Sequence, residues 1–394
     1  MKTKPTKLFV EFFESEKASG IILILCTVTS IAIANSYFGK SYMDFWHTKV
    51  GLEIGDTISL KYSLEHWIND GLMAIFFLLI GLEIERELYV GELSNPKNAS
   101  LPIVAAIGGM ATPALLHFLL NRGTETTGGV GIPMATDIAF ALGVLALLGN
   151  RVSVSLKIFL AALAIIDDLG AIVVIALCYV GNFSLLYFGL ALGIFGGLLI
   201  LNRSGVVWLP LYLIPGIIMW YFMLKSGVHT TIAGVLLSFA VPFGRGDSES
   251  PSYKLQHFLH KPVAFIIMPL FALANTGIAL TGNWIEGLAT PNSLGIFAGL
   301  FFGKPLGIAL FSLLAVKLGL SQLPSDVFWK HIVGAGFLGG IGFTMSIFIT
   351  QLAFGNPEVV QSSKISILLS SLLAGTVGFL ILNKQTASIS NRSV

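Results

Sequence analysis

The chain is poor in charged residues. Only 11% of its 394 residues are Asp, Glu, Lys or Arg, and 55% are hydrophobic, whereas soluble proteins carry about 25% charged residues. The net charge is +2 at pH 7, and no run of basic residues indicates nucleic-acid binding. This composition excludes an ordinary soluble domain and predicts an all-α polytopic membrane protein whose apolar surface faces lipid.

Cysteine is also scarce. The two cysteines, Cys26 and Cys178, both lie in apolar stretches, so the sequence implies neither a disulfide framework nor a metal site. We expect no cofactor. Glycine is abundant by contrast, with 43 residues, which is typical of close helix packing and of helix breaks inside membranes.

The N-terminus resembles a signal peptide in part. Four lysines within residues 2–17 precede an apolar run, and Ala32 to Ala34 has the small residues of a cleavage site. Three glutamates, at positions 11, 14 and 16, interrupt this leader. We therefore interpret the segment as a retained first helix and keep cleavage as the alternative.

Apolar runs along the chain predict about twelve transmembrane spans. Most loops between them are short, and we expect one integral membrane domain over residues 1–394. The longest connection, Tyr37 to Glu65, contains alternating stretches that are consistent with an exposed hairpin. The predicted spans lie near 18–35, 66–88, 99–120, 130–148, 156–180, 184–202, 207–223, 227–242, 262–280, 294–316, 331–354 and 362–382.

The distribution of Lys and Arg gives the orientation. With the N-terminus in the cytoplasm, the predicted cytoplasmic segments hold sixteen of the 23 Lys and Arg residues and the other side holds six. Cytoplasmic loops of membrane proteins are enriched in these residues. Both termini are therefore expected in the cytoplasm. The last of the 23 Lys and Arg residues, Lys304, lies inside a predicted span.

The stretch from Leu156 to Tyr179 is apolar and long enough to cross a bilayer, yet Asp167 and Asp168 lie near its middle. A charge at the bilayer centre costs at least ~2.5–3.5 kcal/mol, and two adjacent carboxylates also repel each other. An acidic pair at this depth indicates a functional site. The alternative is a polar pair that only holds helices together through a partner cation.

Two predicted spans contain helix-breaking sequences. Gly128 to Asp137 has glycines and a proline before a polar pair, and Gly334 to Ser346 has five glycines within nine residues. Unwound backbone at membrane depth is tolerated only inside protein or along a cavity. Interrupted spans in both halves of a chain are typical of transporters with inverted repeats, although two glycine-rich packing helices would give the same pattern.

Few other ionisable groups lie at membrane depth. Asp70, Asp137 and Lys304 join the acidic pair, and Glu83 and Glu87 lie near a predicted cytoplasmic helix end. Lys304 is too deep to reach water, so we expect it to pair with a carboxylate, with a purely structural ion pair as the alternative. If the interrupted spans cross, Asp137 would compensate helix N-termini and Lys304 helix C-termini.

These groups suggest a cation site. The carboxylate of Asp168 or Asp167, the hydroxyl of Thr136 and free backbone carbonyls are hard oxygen ligands that suit Na⁺ or Li⁺. The same oxygens bind protons. A site that takes either a metal ion or protons, but not both, predicts obligatory exchange.

Three histidines are weaker candidates. His229 lies at a predicted helix end, and His257 and His260 lie on a predicted cytoplasmic loop. Imidazoles titrate near neutral pH, so all three are candidates for a pH response. Ordinary surface or helix-end histidines would look the same.

Several motifs together resemble the bacterial NhaA-type Na⁺/H⁺ antiporters. They occur in the order of that family, and the resemblance extends from about Phe13 to the last span. The motifs are Ala135 to Gly143, Ala164 to Gly170, Leu224 to His229, Gly303 to Gly307 and Gly342 to Ser346.

The resemblance implies twelve helices with an inverted-repeat core and two interrupted, crossing helices. It implies a cation site at Asp168 assisted by Asp167, and a proton-linked salt bridge between Lys304 and Asp167. Thr136 and Asp137 would lie at the crossing. The resemblance further implies a supporting acid in the ion pathway, Asp70, and a pH-responsive cytoplasmic funnel of Glu83, Glu87, His257 and His260. Gln256 stands where the family has an acid, which affects the expected strength or midpoint of the pH response.

The function expected from this resemblance is electrogenic export of Na⁺ or Li⁺ in exchange for protons across the bacterial inner membrane. The chain would be a single transporter domain and not an enzyme, and its partners would be Na⁺, Li⁺, H⁺ and the lipid bilayer, with a homodimer left open. An intramembrane aspartyl protease is less consistent, because its two acids converge from different helices. A cation channel is less consistent because no pore-loop signature is visible.

Overall fold

The computed structural model describes residues 7–51, 53–54, 58–280 and 284–390. These residues are mostly helical. The helices are α1 Lys7–Ala34, α2 Gly39–His47, α3 Leu64–Tyr89, α4 Pro96–Asn121, α5 Ile138–Leu147, α6 Val154–Cys178, α7 Leu185–Arg203, α8 Pro210–Ser226, α9 Thr231–Ala240, α10 Pro251–Asn275, α11 Trp284–Leu288, α12 Pro291–Lys317, α13 Trp329–Gly339, α14 Phe343–Ala353 and α15 Pro357–Ser390.

Seven of these helices are long and apolar enough to cross a membrane: α3, α4, α6, α7, α10, α12 and α15. Three bent pairs qualify when each pair is taken as one span, namely the apolar part of α1 with α2, the 3₁₀ helix Glu125–Met134 with α5, and α13 with α14. The described chain therefore has up to ten candidate spans. The shorter helices α8 and α9 lie at the two remaining predicted positions. An all-α polytopic membrane protein, as predicted from composition, is confirmed.

The connection after α1 is partly helical. α2 turns by 114° from α1, which the sequence did not indicate. Four short strands follow as two antiparallel pairs, β1 Lys49–Val50 with β4 Tyr62–Ser63 and β2 Glu53–Ile54 with β3 Ile58–Ser59. This is the hairpin that the alternating sequence predicted.

The helices fall into two compact units. The first contains the chain up to Ile21, Val90–Val174 and the residues from Thr281 onward; the second contains Ile22–Tyr89 and Ile175–Leu280. In the first unit α4 packs along α12. A Cβ added to Gly307 of α12 would lie 2.1 Å from the carbonyl oxygen of Gly108 in α4, so only glycine permits this backbone contact. In the second unit α3 packs along α9.

Three spans contain a widened π-helical turn: Trp67–Leu72 in α3, Val263–Ile267 in α10 and Ala298–Gly303 in α12. Proline follows two of them closely, Pro269 in α10 and Pro305 in α12. A proline inside a helix lacks an N–H group and its ring meets the carbonyl four residues earlier. Widening the preceding turn relieves this clash. Such turns often occur at functional sites, and here one carries Asp70 and another ends directly before Lys304.

Candidate functional site

The two interrupted spans of the first unit meet at their breaks. Residues 135–137 are extended between the 3₁₀ helix Glu125–Met134 and α5, and residues 340–342 separate α13 from α14. The spans bend by 41° and 46° at these points. The backbone N–H of Asp137 donates to the carbonyl oxygen of Ile341 at 2.6 Å. The expected crossing of two broken helices is therefore present.

Asp137 caps two helices at this crossing. One carboxylate oxygen accepts the backbone N–H of Phe140, in the first turn of α5, at 3.0 Å. The other accepts both the backbone N–H of Thr344, in the first turn of α14, at 3.0 Å and the Thr344 hydroxyl. A carboxylate is favourable at a helix N-terminus because it meets unpaired N–H groups and the positive end of the dipole. Asp137 performs this role for both half-helices at once.

Lys304 lies against the extended segment and α6. Its ammonium donates to Oγ1 of Thr136 at 2.9 Å and forms an ion pair with Oδ2 of Asp167. Both charged side chains are fully buried. The expected pairing of Lys304 with Asp167 is thus observed. A buried ion pair is stable only when its remaining polar atoms are also satisfied, and loss of either partner is strongly destabilising.

Thr136 connects this ion pair to the helix break. Its Oγ1 lies 2.7 Å from Oδ2 of Asp167 and 2.8 Å from the carbonyl oxygen of Gly339 at the end of α13. The hydroxyl has one proton, so it donates to one of these oxygens at a time. Lys304 is therefore close to the negative end of α13, as expected for a cation that compensates a helix C-terminus.

The ion pair with Lys304 uses one oxygen of the acidic pair, Oδ2 of Asp167. Oδ1 of Asp167 has no hydrogen-bond partner in the part of the chain that the structure describes. Asp168 is 1% exposed and interacts electrostatically with Lys304. A buried carboxylate oxygen with no donor suits a proton or a small cation.

Resident metal binding is a separate question. Among the described residues no group of three or more His, Cys, Asp or Glu side chains is arranged to hold a metal ion. A cation at Asp167 and Asp168 would therefore complete its shell with other oxygens, for which the Thr136 hydroxyl and the backbone carbonyls of the breaks are available. This donor set is composed of hard oxygen ligands.

The second unit contains another carboxylate cluster, around Asp70 in the π turn of α3. Oδ2 of Asp70 lies 3.2 Å from Nδ1 of His66, and Oδ1 lies 3.7 Å from Nε2 of His229. The Thr230 hydroxyl donates to Oδ1 at 2.7 Å, and Trp220 Nε1 donates to the backbone oxygen of Asp70 at 2.8 Å. His229 thus belongs with Asp70 and not with the other predicted pH-response residues.

The other predicted pH-response residues lie in two helices. Glu83 and Glu87 are near the C-terminal end of α3, and His257 and His260 are in the first half of α10. Glu83 is hydrogen-bonded to the Gln256 side chain and interacts electrostatically with Glu87. The guanidinium of Arg86 lies over the Tyr253 ring, 5.7 Å from its centre, and that ring stacks on His257. His260 interacts electrostatically with His257. The four predicted funnel residues therefore share one region of the second unit.

Two residues that contact these buried acids were not predicted from the sequence, Thr344 at Asp137 and His66 at Asp70. Thr344 was part of a recognised motif, but nothing in the sequence assigned its hydroxyl to Asp137. His66 was overlooked, although its spacing of four residues from Asp70 places both side chains on one helix face. That spacing was the available signal.

Comparison with known proteins identifies the family. Residues 10–382 match the family described as Na+/H+ antiporter 1. The chain is 62% identical over 386 residues to a protein of Dechloromonas aromatica named Na(+)/H(+) antiporter NhaA, with 97% of each chain covered. It is 61% identical over 376 residues to the protein of the same name from Flavobacterium psychrophilum, covering 95% of this chain and 96% of the relative. An Escherichia coli protein of that name is 49% identical over 372 residues, covering 93% and 96%.

A solved structure has the same fold. The sodium proton antiporter MjNhaP1 from Methanocaldococcus jannaschii, determined at pH 8, superposes with a TM-score of 0.51 over 93% of this chain and 98% of its own. At 15% sequence identity this likeness concerns the fold alone. The family match and the close relatives are decisive: the chain belongs to the NhaA-type Na⁺/H⁺ antiporter family, whose members are transporters and not enzymes.

Proposed function

We propose that this protein exchanges Na⁺, or Li⁺, for protons across the bacterial inner membrane, and that the cation and the protons compete for Asp167 and Asp168. The observation that carries the proposal is the fully buried ion pair of Lys304 and Asp167 next to Asp168 at the crossing of two broken helices. The names of the close relatives support the same exchange.

The exchange follows from the chemistry of the site. When a cation approaches Asp168, carboxylate oxygens and the Thr136 hydroxyl replace its water ligands, and protons held by the acidic pair must leave. When protons return, the carboxylates lose the charge that holds the cation. Lys304 pairs with Asp167, so a change in that ion pair changes the number of protons that the site can take up.

Charge moves in this cycle when more than one proton is taken for each Na⁺. We therefore propose electrogenic transport that responds to membrane potential as well as to a pH difference. Asp70 would support the ion pathway. Glu83, Glu87, His257 and His260 would adjust the response to cytoplasmic pH, and His229 would act beside Asp70.

The direct test is Na⁺-dependent proton flux in proteoliposomes that contain the purified full-length protein, with Li⁺ and K⁺ for comparison and with or without an imposed potential. We expect flux with Na⁺ and Li⁺ and stimulation by the potential. The apparent KM for Na⁺ should rise on acidification, by about tenfold per pH unit for each competing proton below the pKa of the site.

Substitution of Asp168 tests whether the exchange depends on this carboxylate. We expect Asp168→Asn to abolish exchange while the protein still folds, and the matched control Glu249→Gln, at a side chain that is 83% exposed, to retain it. A KM that is independent of pH, or an active Asp168→Asn protein, would contradict competition at this site. Flux that does not saturate and needs no counter-ion would indicate a channel.

We further propose that the whole chain acts as a single transporter domain with both termini in the cytoplasm. Sixteen of the 23 Lys and Arg residues fall on the side assigned to the cytoplasm, as the positive-inside rule requires. Cysteine tags in residues 245–255 should be labelled from the cytoplasm, and tags beside Trp284 from the outside. Labelling of both from one side would contradict this orientation.

A further inference from the structure

His117 is a fully buried histidine near the C-terminal end of α4 that takes no part in the proposed exchange. Its Nε2 lies 3.2 Å from Oδ1 of Asn292, in the first turn of α12. The amide nitrogen of Asn292 donates to the hydroxyl of Ser363 in α15 at 2.7 Å. All three side chains are at most 2% exposed. They join three helices of the first unit, and we call them the polar latch.

The hydrogen bonds of the polar latch run in one direction. The Ser363 hydroxyl donates its only proton to the backbone oxygen of Val359 at 2.6 Å, so it accepts from the Asn292 amide. The amide oxygen of Asn292 then faces His117, and because this oxygen can only accept, Nε2 of His117 carries a proton. His117 is therefore the donor that fastens α12 to α4.

Two further hydrogen bonds fasten the same end of α12. The amide nitrogen of Asn121, in the last turn of α4, donates to the backbone oxygen of Pro291 at 3.1 Å. On the other side, the Ser366 hydroxyl of α15 donates to the backbone oxygen of Ser293 at 2.7 Å. Hydrogen bonds depend on both distance and angle, so these contacts favour one position of α12 along its neighbours.

The other contacts along α12 are made by a row of glycines, one at every fourth residue. Four residues of a helix rise by about 6 Å, so a shift of α12 by one turn would place glycine where glycine stood. Such contacts allow close packing but do not select one register. An added Cβ would lie 2.6 Å from Nδ2 of Asn121 at Gly295, 2.6 Å from Cβ of Pro133 at Gly299, 2.9 Å from Cα of Pro113 at Gly303 and 2.1 Å from the carbonyl oxygen of Gly108 at Gly307.

We propose that His117 is a positioning residue: through the polar latch it fixes the register of α12 along α4, and so holds Lys304 against Thr136 and Asp167. Lys304 follows Asn292 by twelve residues, about 18 Å along the helix. A shift by one turn would move its ammonium by about 6 Å and break the ion pair. The ion pair also favours this register, but it changes during the proposed exchange, whereas the latch does not.

Thermal unfolding tests whether the latch and the ion pair are coupled. Substitutions this far apart, with no shared partner, normally have additive effects. If the latch sets the register, His117→Phe should lower the Tm more in the wild type than in the double variant Lys304→Ala with Asp167→Asn, which has no ion pair to misplace. Equal Tm losses in the two backgrounds would overturn the proposal.

The matched control for His117→Phe is Tyr212→Phe. Tyr212 is a fully buried ring in α8 whose hydroxyl donates to the backbone oxygen of Val206 at 2.7 Å. Both substitutions thus remove one polar hydrogen from a buried ring. The Tm loss of Tyr212→Phe should be the same in the wild type and in the double variant without the ion pair.

Two more variants separate the hydrogen bond from the shape of the ring. The amide nitrogen of His117→Gln can take the place of Nε2 and donate to Asn292, so its Tm should stay near that of the wild type. Ser363→Ala removes the acceptor at the other end of the latch, and its Tm loss should show the same dependence on the ion pair even if His117→Phe does not fold. A Tm loss of His117→Gln as large as that of His117→Phe would contradict a role of this hydrogen bond.

Transport in proteoliposomes gives a second measurement, whose interpretation rests on the proposed function. The apparent KM for Na⁺ should rise several-fold in His117→Phe, because Lys304 is then misplaced, and His117→Gln should restore it. Tyr212→Phe should keep the wild-type KM. A wild-type KM in His117→Phe would overturn the positioning role. If the wild type itself shows no Na⁺-dependent flux, the proposed function fails, while the coupling of the Tm values still tests the latch.

Discussion

Asp167 and Asp70 each lie against a basic side chain and a threonine hydroxyl, but in surroundings of different exposure. Asp167 and its partner Lys304 are fully buried. Asp70 is 15% exposed and its partners are imidazoles. The same kinds of groups therefore occur once in a fully buried ion pair and once in a cluster that is partly in contact with water.

The difference also affects stability. In a buried pair each charge depends on the other, because neither can be solvated by water once its partner is removed. In a partly exposed cluster water replaces a lost partner at small cost. Three substitutions test this comparison, and we expect their effects to decrease in the order given below.

The largest effect is expected for Lys304→Ala. It leaves the Asp167 carboxylate buried without a counter-charge, which costs about 3–5 kcal/mol and should lower the Tm markedly. The double variant Lys304→Ala with Asp167→Asn should recover much of the loss. The matched control is Lys254→Ala, which breaks an exposed pair with Glu249 at 2.8 Å and should cost only ~0–1 kcal/mol. A double variant that melts no higher than Lys304→Ala would contradict the dependence of the two charges on each other.

An intermediate effect is expected for Thr344→Val. This change removes the hydroxyl donor to Asp137 but keeps the backbone N–H bond. A hydrogen bond to a buried carboxylate contributes about 1.5–3 kcal/mol, so the Tm should fall measurably. Thr376→Val is the control, since that hydroxyl lies on an exposed residue and bonds only to the Leu372 carbonyl of its own helix. Equal Tm values for the two variants would argue against a capping role of Thr344.

The smallest effect is expected for Thr230→Val, which removes the 2.7 Å hydrogen bond to Asp70. Asp70 keeps His66 and some contact with water, so the loss should be ~1 kcal/mol or less. Thermal unfolding of the purified protein measures it. A loss as large as that of Thr344→Val would mean that the Asp70 cluster behaves as a buried site, which removes the contrast between the two regions.

Much of the cluster around Lys304 and Asp167 was predictable from the sequence, because its polar residues lie inside apolar spans. Lys304 and Asp167 are charged residues inside apolar spans, so each requires a partner. The glycine and proline residues before Asp137 and within residues 334–342 mark the helix breaks. These signals are local and strong, and they predict the two helix breaks and a carboxylate partner for Lys304. The crossing and the pairing with Asp167 follow from the family resemblance.

The cluster around Asp70 was less predictable from the sequence. Asp70 was recognised as a deep acid, but its neighbours His229 and Thr230 lie about 160 residues away, and only the packing of α3 against α8 and α9 brings them together. The π turn that carries Asp70 has no nearby proline to indicate it. The helix α2 was missed because residues 39–47 are too short and mixed in character to show a clear period.

The double cap at Asp137 has a consequence for the order of events during synthesis. Its second partner, Thr344, follows 207 residues later in the chain. At about 5–20 residues per second, the ribosome reaches Thr344 roughly 10–40 s after Asp137. For most of that interval the acids of the first half have been made, while neither Lys304 nor Thr344 has been. The nascent protein must therefore shelter these acids, by proton uptake or by delayed insertion, until the second broken span arrives.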